Sequence, residues 1–260
     1  MSFDVKPFVL LACVLVMATA FLNAGLVARE CPDWGFHLCY AGSMNAEACS
    51  QGAYADYAPF LAFSANSLLG LGVPAGLSFS FFALVGVALV FLFLHELVGW
   101  KGILGYFIAV PVALLLVGSP KQLWFNNLFC GVIPFYFATG VCLAFFLLLD
   151  KWLAEPSPPC PNMRAAKRFF QFVLGAGVGV LLVFTHNYGG LLFLWLLASA
   201  LIGASIGAKA YFVGFVLVLL GIIGGLIGLL PAIVASRALV LFYPLFVAVV
   251  FRCFGVGGVD

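Results

Sequence analysis

The side chains best suited to chemistry lie in one polar stretch, residues 29–59, of a chain that is otherwise strongly apolar. Four of the nine acidic residues are in it, and ionisable groups close to a membrane usually have a function. Asp33 can accept a proton from a hydroxyl nucleophile, which is general-base chemistry. His37 and Asp56 are candidate ligands for an acceptor or a metal ion. The sequence therefore points first to this stretch for an active site.

Each of these residues also has a structural interpretation. Asp33 follows Pro32 and can cap a helix, a position that Asp often occupies. His37 lies four residues after Asp33, on the same face of any helix formed here, so the two can bind a divalent cation. A single His in a polar loop serves equally well as a hydrogen-bonding group. Asp56 is either a second carboxylate of the site or a turn residue before Tyr57.

The composition identifies the class of protein. Hydrophobic residues make up 65% of the 260-residue chain, charged residues make up 8%, and the mean hydropathy is +1.23. A soluble domain does not expose such a composition to water, so we predict an all-α, polytopic transmembrane bundle forming a single domain, residues 1–260. The formal charge of +2 is small and scattered, which argues against a nucleic-acid partner.

The apolar runs predict about eight membrane-crossing helices, since about 20 residues span a ~30 Å hydrocarbon core. The first run is interpreted as a retained helix because it is longer than the core of a typical signal peptide. A further run, residues 59–73, is short and is predicted to lie on or dip into the outer face without crossing. The eight predicted crossings are residues 7–28, 76–97, 102–117, 128–149, 169–185, 191–207, 211–230 and 238–251.

The basic residues orient this topology, because Lys and Arg near helix ends prefer the cytoplasmic side. With both termini inside, the outer face keeps only Arg29, Lys121 and Arg237. The inner side then holds eight basic residues: Lys6, Lys101, Lys151, Arg164, Lys167, Arg168, Lys209 and Arg252. The candidate residues Asp33, His37, Asp56, Lys121, His186 and Arg237 all fall on the extracytoplasmic side in this arrangement.

The cysteines give little support for a zinc or redox site, because the eight of them include no Cys-x-x-Cys pair. Three of them, Cys31, Cys39 and Cys49, share the outer polar stretch. One disulfide is expected among them in an oxidising exterior, and we predict a bridge from Cys31 or Cys39 to Cys49.

Several short segments follow one another in a recognisable order. In that order they resemble the GT-C superfamily of integral membrane glycosyltransferases, which includes the dolichyl-phosphate-mannose-dependent mannosyltransferases and the oligosaccharyltransferase catalytic subunits. The segments are Asp33-Trp34-Gly35-Phe36-His37-Leu38, Tyr57-Ala58-Pro59-Phe60, His95-Glu96-Leu97-Val98-Gly99, Gly175 to Gly179, and Thr185-His186-Asn187-Tyr188-Gly189-Gly190.

The resemblance implies transfer of a sugar from a polyprenyl-phosphate-linked donor to an acceptor on the extracytoplasmic face. Asp33 matches the acidic residue of the first outer loop that acts as the base or as an acceptor-orienting group in such enzymes. The donor phosphate is anionic and calls for cationic partners, for which Arg237, Lys121 and His186 are the candidates. Arg237 is otherwise a snorkelling interface anchor, and His186 is otherwise part of a turn.

Two departures from the family favour an alternative function. Catalytic members usually carry more helices or a soluble outer domain than these 260 residues provide, and the later outer loops contain no second acidic motif. The alternative is a non-catalytic membrane subunit, associated with other membrane proteins, or a transporter of lipids or small molecules that keeps the scaffold. Membrane lipids are expected partners in both cases.

Overall fold

The computed structural model of the protein describes residues 59–73, 75–117, 133–154, 161–185, 189–229 and 232–253. Within these ranges the chain is all-helical and contains no strand, which confirms the predicted class for this part. The helices are α1 (Pro59–Gly70), α2 (Ala75–Val117), α3 (Ile133–Ala154), α4 (Pro161–Thr185), α5 (Gly189–Ile206), α6 (Ala210–Leu226) and α7 (Ala232–Cys253).

The helices coincide with the apolar runs of the sequence wherever both can be compared. Seven of the eight predicted crossings fall wholly or partly in the described ranges, and they are helical there except at residues 207 and 227–229. By length and composition alone, three segments are long and apolar enough to span a membrane: Val85–Tyr106, which contains a bend at Gly99, Pro161–Thr185 and Gly189–Ile206. The run at residues 7–28 lies outside the described residues, and eight crossings in total stays a prediction.

The helix α2 consists of two arms that meet at Gly99. Phe91 and Tyr106 would be about 22 Å apart along a straight helix, yet their ring centroids are 6.3 Å apart, so the chain bends back on itself between them. Gly99 has φ 68° and ψ −163°, a combination that residues with a β-carbon essentially do not adopt. The predicted runs 76–97 and 102–117 are therefore two packed arms joined without a loop.

Helix α1 is the predicted short helix at residues 59–73. Its 12 residues extend about 18 Å, well short of a ~30 Å hydrocarbon core. Phe60 packs against the rings of Phe82 in α2 and Phe137 in α3, with both pairs of centroids 6.3 Å apart. The helix thus lies beside the early turns of α2 and α3, as a short element that is not long enough to cross.

The buried core joins α2, α3, α5, α6 and α7. Aromatic rings meet edge to face at its centre, including Phe146 against Trp195 with centroids 5.0 Å apart, a favoured geometry for such pairs. The Trp195 indole N–H donates a hydrogen bond to the carbonyl of Gly214, which ties α5 to α6. The largest fully buried side chains are Phe93, Phe146, Leu94, Leu143, Leu182, Leu196 and Leu245.

The outward faces of the helices are apolar as well, which is the reverse of a soluble protein. Phe169 and Phe172 of α4 and Leu201 of α5 are each more than 60% exposed. Helix α4 contributes few buried residues, namely Gly179, Leu182 and Thr185. A surface of this kind is suited to lipid, and α4 lies at the edge of the bundle.

Candidate functional site

Most of the candidate residues taken from the sequence lie outside the described residues. These are Asp33, His37, Asp56, Lys121, His186 and the cysteines Cys31, Cys39 and Cys49. Arg237 belongs to α7, 15 residues before Arg252, which corresponds to about 22 Å along a helix. The described residues therefore do not test the predicted catalytic set, and the roles assigned to these residues stay predictions.

The charged residues whose side chains are described share one end of the bundle, here called the charged end. Glu96 of α2 and Lys151 of α3 form an ion pair of 3.6 Å. The Arg252 guanidinium of α7 lies within hydrogen-bonding reach of the Tyr211 hydroxyl of α6. The members are His95, Glu96, Lys101, Asp150, Lys151, Arg164, Lys167, Arg168, Lys209 and Arg252.

The charged end gathers the seven cations of the predicted inner side that lie in the described ranges. By contrast, α1 contacts Phe82 of α2 and Phe137 of α3. Each of these residues lies 14 positions before a member of the charged end on the same helix, namely Glu96 and Lys151. Fourteen residues of helix correspond to about 21 Å. The bundle thus has a charged end and an apolar end, and α1 lies toward the apolar one.

Asp150 connects two helices at the charged end. Its Oδ1 accepts a hydrogen bond of 3.0 Å from the backbone N–H of Ala210, the first residue of α6. Burial raises the pKa of the Asp150 carboxyl, while this hydrogen bond and the charge of Lys209 lower it. Desolvation outweighs the two opposing effects. The carboxylate caps a helix from another helix, and its role is structural.

A groove of about 830 Å³ lies between α3, α4 and α5. Its floor is buried, and its rim opens sideways, since Phe172, Val180 and Phe184 are all more than half exposed. Gln171 and the indole of Trp152 are the polar groups among its side chains. The lining residues are Phe145, Leu149, Trp152, Gln171, Phe172, Gly175, Ala176, Gly179, Val180, Val183, Phe184, Phe193, Leu196, Leu197 and Ala200.

Small residues of α4 make room for the groove. A β-carbon on Gly175 would lie 3.8 Å from the ring of Phe145, and one on Gly179 would lie 3.1 Å from the ring of Phe193. The tight distance at Gly179 shows that this glycine lets α4 and α5 pack closely. At Gly175 a β-carbon would make an ordinary van der Waals contact, and this glycine lines the groove. In the sequence, the signal that could have indicated the groove is this cluster of small residues among bulky ones on one face of α4.

The groove follows the long direction of α4. It begins at Gln171 and Trp152, near the charged end, and reaches Phe184 at the last turn of α4. Thirteen residues separate Gln171 from Phe184, so the groove is about 20 Å long. At its far end, α5 begins against α4 at Gly189, where any β-carbon would collide with the Leu182 carbonyl.

The described residues contain no group of three or more His, Cys, Asp or Glu side chains arranged to hold a metal ion. The chain matches no protein-family model, no characterised protein and no solved structure. The groove is a feature of the described part that can hold a ligand, and the GT-C relationship stays a proposal from the sequence.

Proposed function

We propose that the protein binds the hydrocarbon chain of a membrane lipid in the groove between α3, α4 and α5. The groove itself is the observation that carries this proposal. It is elongated, almost entirely apolar and open toward the side of the bundle. Water gains few hydrogen bonds in such a space, whereas a lipid chain gains close contact with rings such as those of Phe145 and Phe193.

A second candidate is the sugar transfer implied by the GT-C resemblance, with Asp33 as the base and a polyprenyl-phosphate-linked sugar as the donor. A groove with a lateral opening favours it, because a lipid-linked donor reaches its enzyme from within the bilayer. Chain binding is common to this enzyme and to the non-catalytic lipid-binding alternative. The two differ in whether the bound lipid reacts.

The test of chain binding is a groove-filling substitution with a matched control on the same helix. Gly175→Leu places an isobutyl group in the groove. Gly177→Leu makes the same change two residues away, about 200° around the helix, where a β-carbon meets no neighbour. Both variants and the wild type are placed in nanodiscs with a lipid whose chain bears a photoactivatable group, and labelled peptides are identified by mass spectrometry.

We expect the wild type and Gly177→Leu to be labelled on the facing residues of α4 and α5. Gly175→Leu should lose that labelling by about tenfold or more, which corresponds to about 1.4 kcal/mol of binding free energy. Equal labelling of all three proteins would remove the groove as a binding site. Thermal unfolding of each variant in the same nanodiscs shows that the comparison concerns folded protein.

A further inference from the structure

The first turns of α4 carry three basic side chains in register with the groove. Arg164, Lys167 and Arg168 precede Gln171 by seven, four and three residues. Residues at these spacings share one face of an α-helix, and Gln171 lines the groove. The α4 face that lines the groove therefore continues directly into three cations.

The opposite end of the groove has a different character. Val183 and Phe184 line it there, so the lining from α4 changes from polar at Gln171 to apolar at Phe184, and the three cations lie beyond its polar end. Arg164 lies about 10 Å beyond Gln171 along the helix axis. The arrangement fits a ligand with a negative head at one end and a hydrocarbon chain at the other.

We propose that the groove binds an anionic phospholipid, with one acyl chain along α4 and the phosphate against Arg164, Lys167 and Arg168. This inference rests on the chain binding proposed above and adds the head group. Arg and Lys are the side chains that pair most strongly with phosphate oxygens. Since these cations belong to the charged end, which the positive-inside rule places in the cytoplasm, the lipid belongs to the inner leaflet.

The dimensions of the groove agree with a phospholipid. One leaflet supplies about half of a ~30 Å hydrocarbon core, and the groove is about 20 Å long, which accommodates a single acyl chain. A long polyprenyl chain would extend beyond it. Phe169 and Phe170 follow the cations and are 70% and 62% exposed, a combination of base and aromatic ring that suits the boundary between head groups and chains.

The experiment compares two lipids with the same photoactivatable chain, phosphatidylglycerol and phosphatidylcholine, in nanodiscs with the full-length protein. The wild type should be labelled in the groove more strongly by phosphatidylglycerol. Each cation near an anionic lipid contributes about a fivefold preference. The double variant Arg164→Gln/Arg168→Gln should therefore lose about fivefold to 25-fold of that preference. The control Lys101→Gln/Lys209→Gln removes two positive charges from the same end of the bundle and should keep the preference.

The outcomes separate the head group from the chain. An unchanged preference in Arg164→Gln/Arg168→Gln, or an equal loss in the control, overturns the head-group site while chain binding stands. Absence of groove labelling by either lipid in the wild type overturns both proposals. A polyprenyl monophosphate competitor that displaces the labelled lipid more effectively than unlabelled phosphatidylglycerol overturns the phospholipid as the occupant.

Discussion

The carboxylate of Asp150, near the end of α3, accepts a hydrogen bond from the backbone N–H of Ala210 at the start of α6. Sixty residues of chain separate the two partners. The first N–H groups of a helix have no partner within the helix, and here a side chain from a neighbouring helix supplies one. A negative charge near a helix N-terminus is also electrostatically favourable. The bond fixes where α6 begins relative to α3.

Removal of this acceptor should destabilise the bundle. Asp150→Ala leaves the Ala210 N–H without its partner, and we expect a loss of about 1 kcal/mol, as for other helix caps. Asp150→Asn keeps an oxygen acceptor of the same shape and should lose much less. Thermal or denaturant unfolding of the three proteins in one detergent measures the difference. Equal destabilisation by both substitutions would contradict the capping role.

The same carboxyl should make stability depend on pH. Its pKa in the folded protein is raised by burial above the ordinary 3.8, so the folded state holds this proton more tightly than the unfolded state. The contribution is fully present below pH 3.8 and is lost as pH rises through the folded-state pKa. Relative to Asp150→Asn, which does not titrate, the wild type should lose stability as pH increases across this window. If the wild type instead gained stability relative to Asp150→Asn as the pH rises, the raised pKa of Asp150 would be contradicted.

The ion pair between Glu96 and Lys151 should contribute little by comparison. Its 3.6 Å separation joins side chains that are 42% and 64% exposed, and exposed pairs of this kind stabilise proteins by about 0–1 kcal/mol. We expect Lys151→Gln to change the unfolding free energy by less than about 0.5 kcal/mol. Denaturation at low and high salt checks this, because an exposed pair is also screened by salt.

The bend at Gly99 should tolerate no side chain. Gly99→Ala places a β-carbon on a residue with φ 68°, and such strain costs about 1–3 kcal/mol. Gly177→Ala is the control, because it lies within α4 with open space around it and should be neutral or stabilising by up to about 1 kcal/mol. Comparable melting temperatures for the two variants would show that the two arms of α2 do not need this backbone conformation.

The sequence could predict the helices because lipid solvates them individually. Apolar runs of sufficient length mark each one, and the separate runs at 76–97 and 102–117 anticipated the two arms that meet at Gly99. Close approaches between helices were harder to predict. A β-carbon on Gly221, a glycine within α6, meets nothing within 4 Å. Gly140 makes such an approach, to the backbone of Gly86, and hydropathy alone does not distinguish the two.

The site was less predictable than the fold. Charge counting assigned the seven cations of the charged end to one side of the membrane, and in the structure they share one end of the bundle. That this end faces the cytoplasm stays a prediction. The groove depends on how three helices diverge, and a single sequence does not encode that as a local pattern. Gly175 shows the limitation, since a helical glycine predicts close packing and open space equally well. In the structure a β-carbon on Gly179 would lie a tight 3.1 Å from the ring of Phe193, whereas one on Gly175 would lie 3.8 Å from the ring of Phe145, an ordinary contact distance.

The orientation of the charged end can be tested with Cys253, an exposed cysteine one residue after Arg252. In a variant that keeps only this cysteine, a membrane-impermeant maleimide should react after permeabilisation and not with intact cells, because the cation-rich end is predicted to be cytoplasmic. Leu71→Cys in a cysteine-free background is the control. Leu71 follows α1 and is 81% exposed, and it should react from the outside. Reversed reactivity of both positions would invert the topology.

The sugar-transfer proposal makes the most demanding prediction, which concerns Asp33. The substitution Asp33→Asn preserves shape and removes the base, and loss of a general base typically slows a reaction by about 10²- to 10⁴-fold. Transfer is measured in vesicles that contain the purified protein and a polyprenyl-phosphate-linked sugar. The control Asp56→Asn removes a second carboxylate from the same outer stretch. If transfer survives Asp56→Asn and is lost in Asp33→Asn, Asp33 is identified as the base. Equal transfer by the wild type and Asp33→Asn would remove Asp33 as the base. No transfer by the wild type would leave lipid binding without catalysis as the function, because the described lining of the groove does not include Asp33.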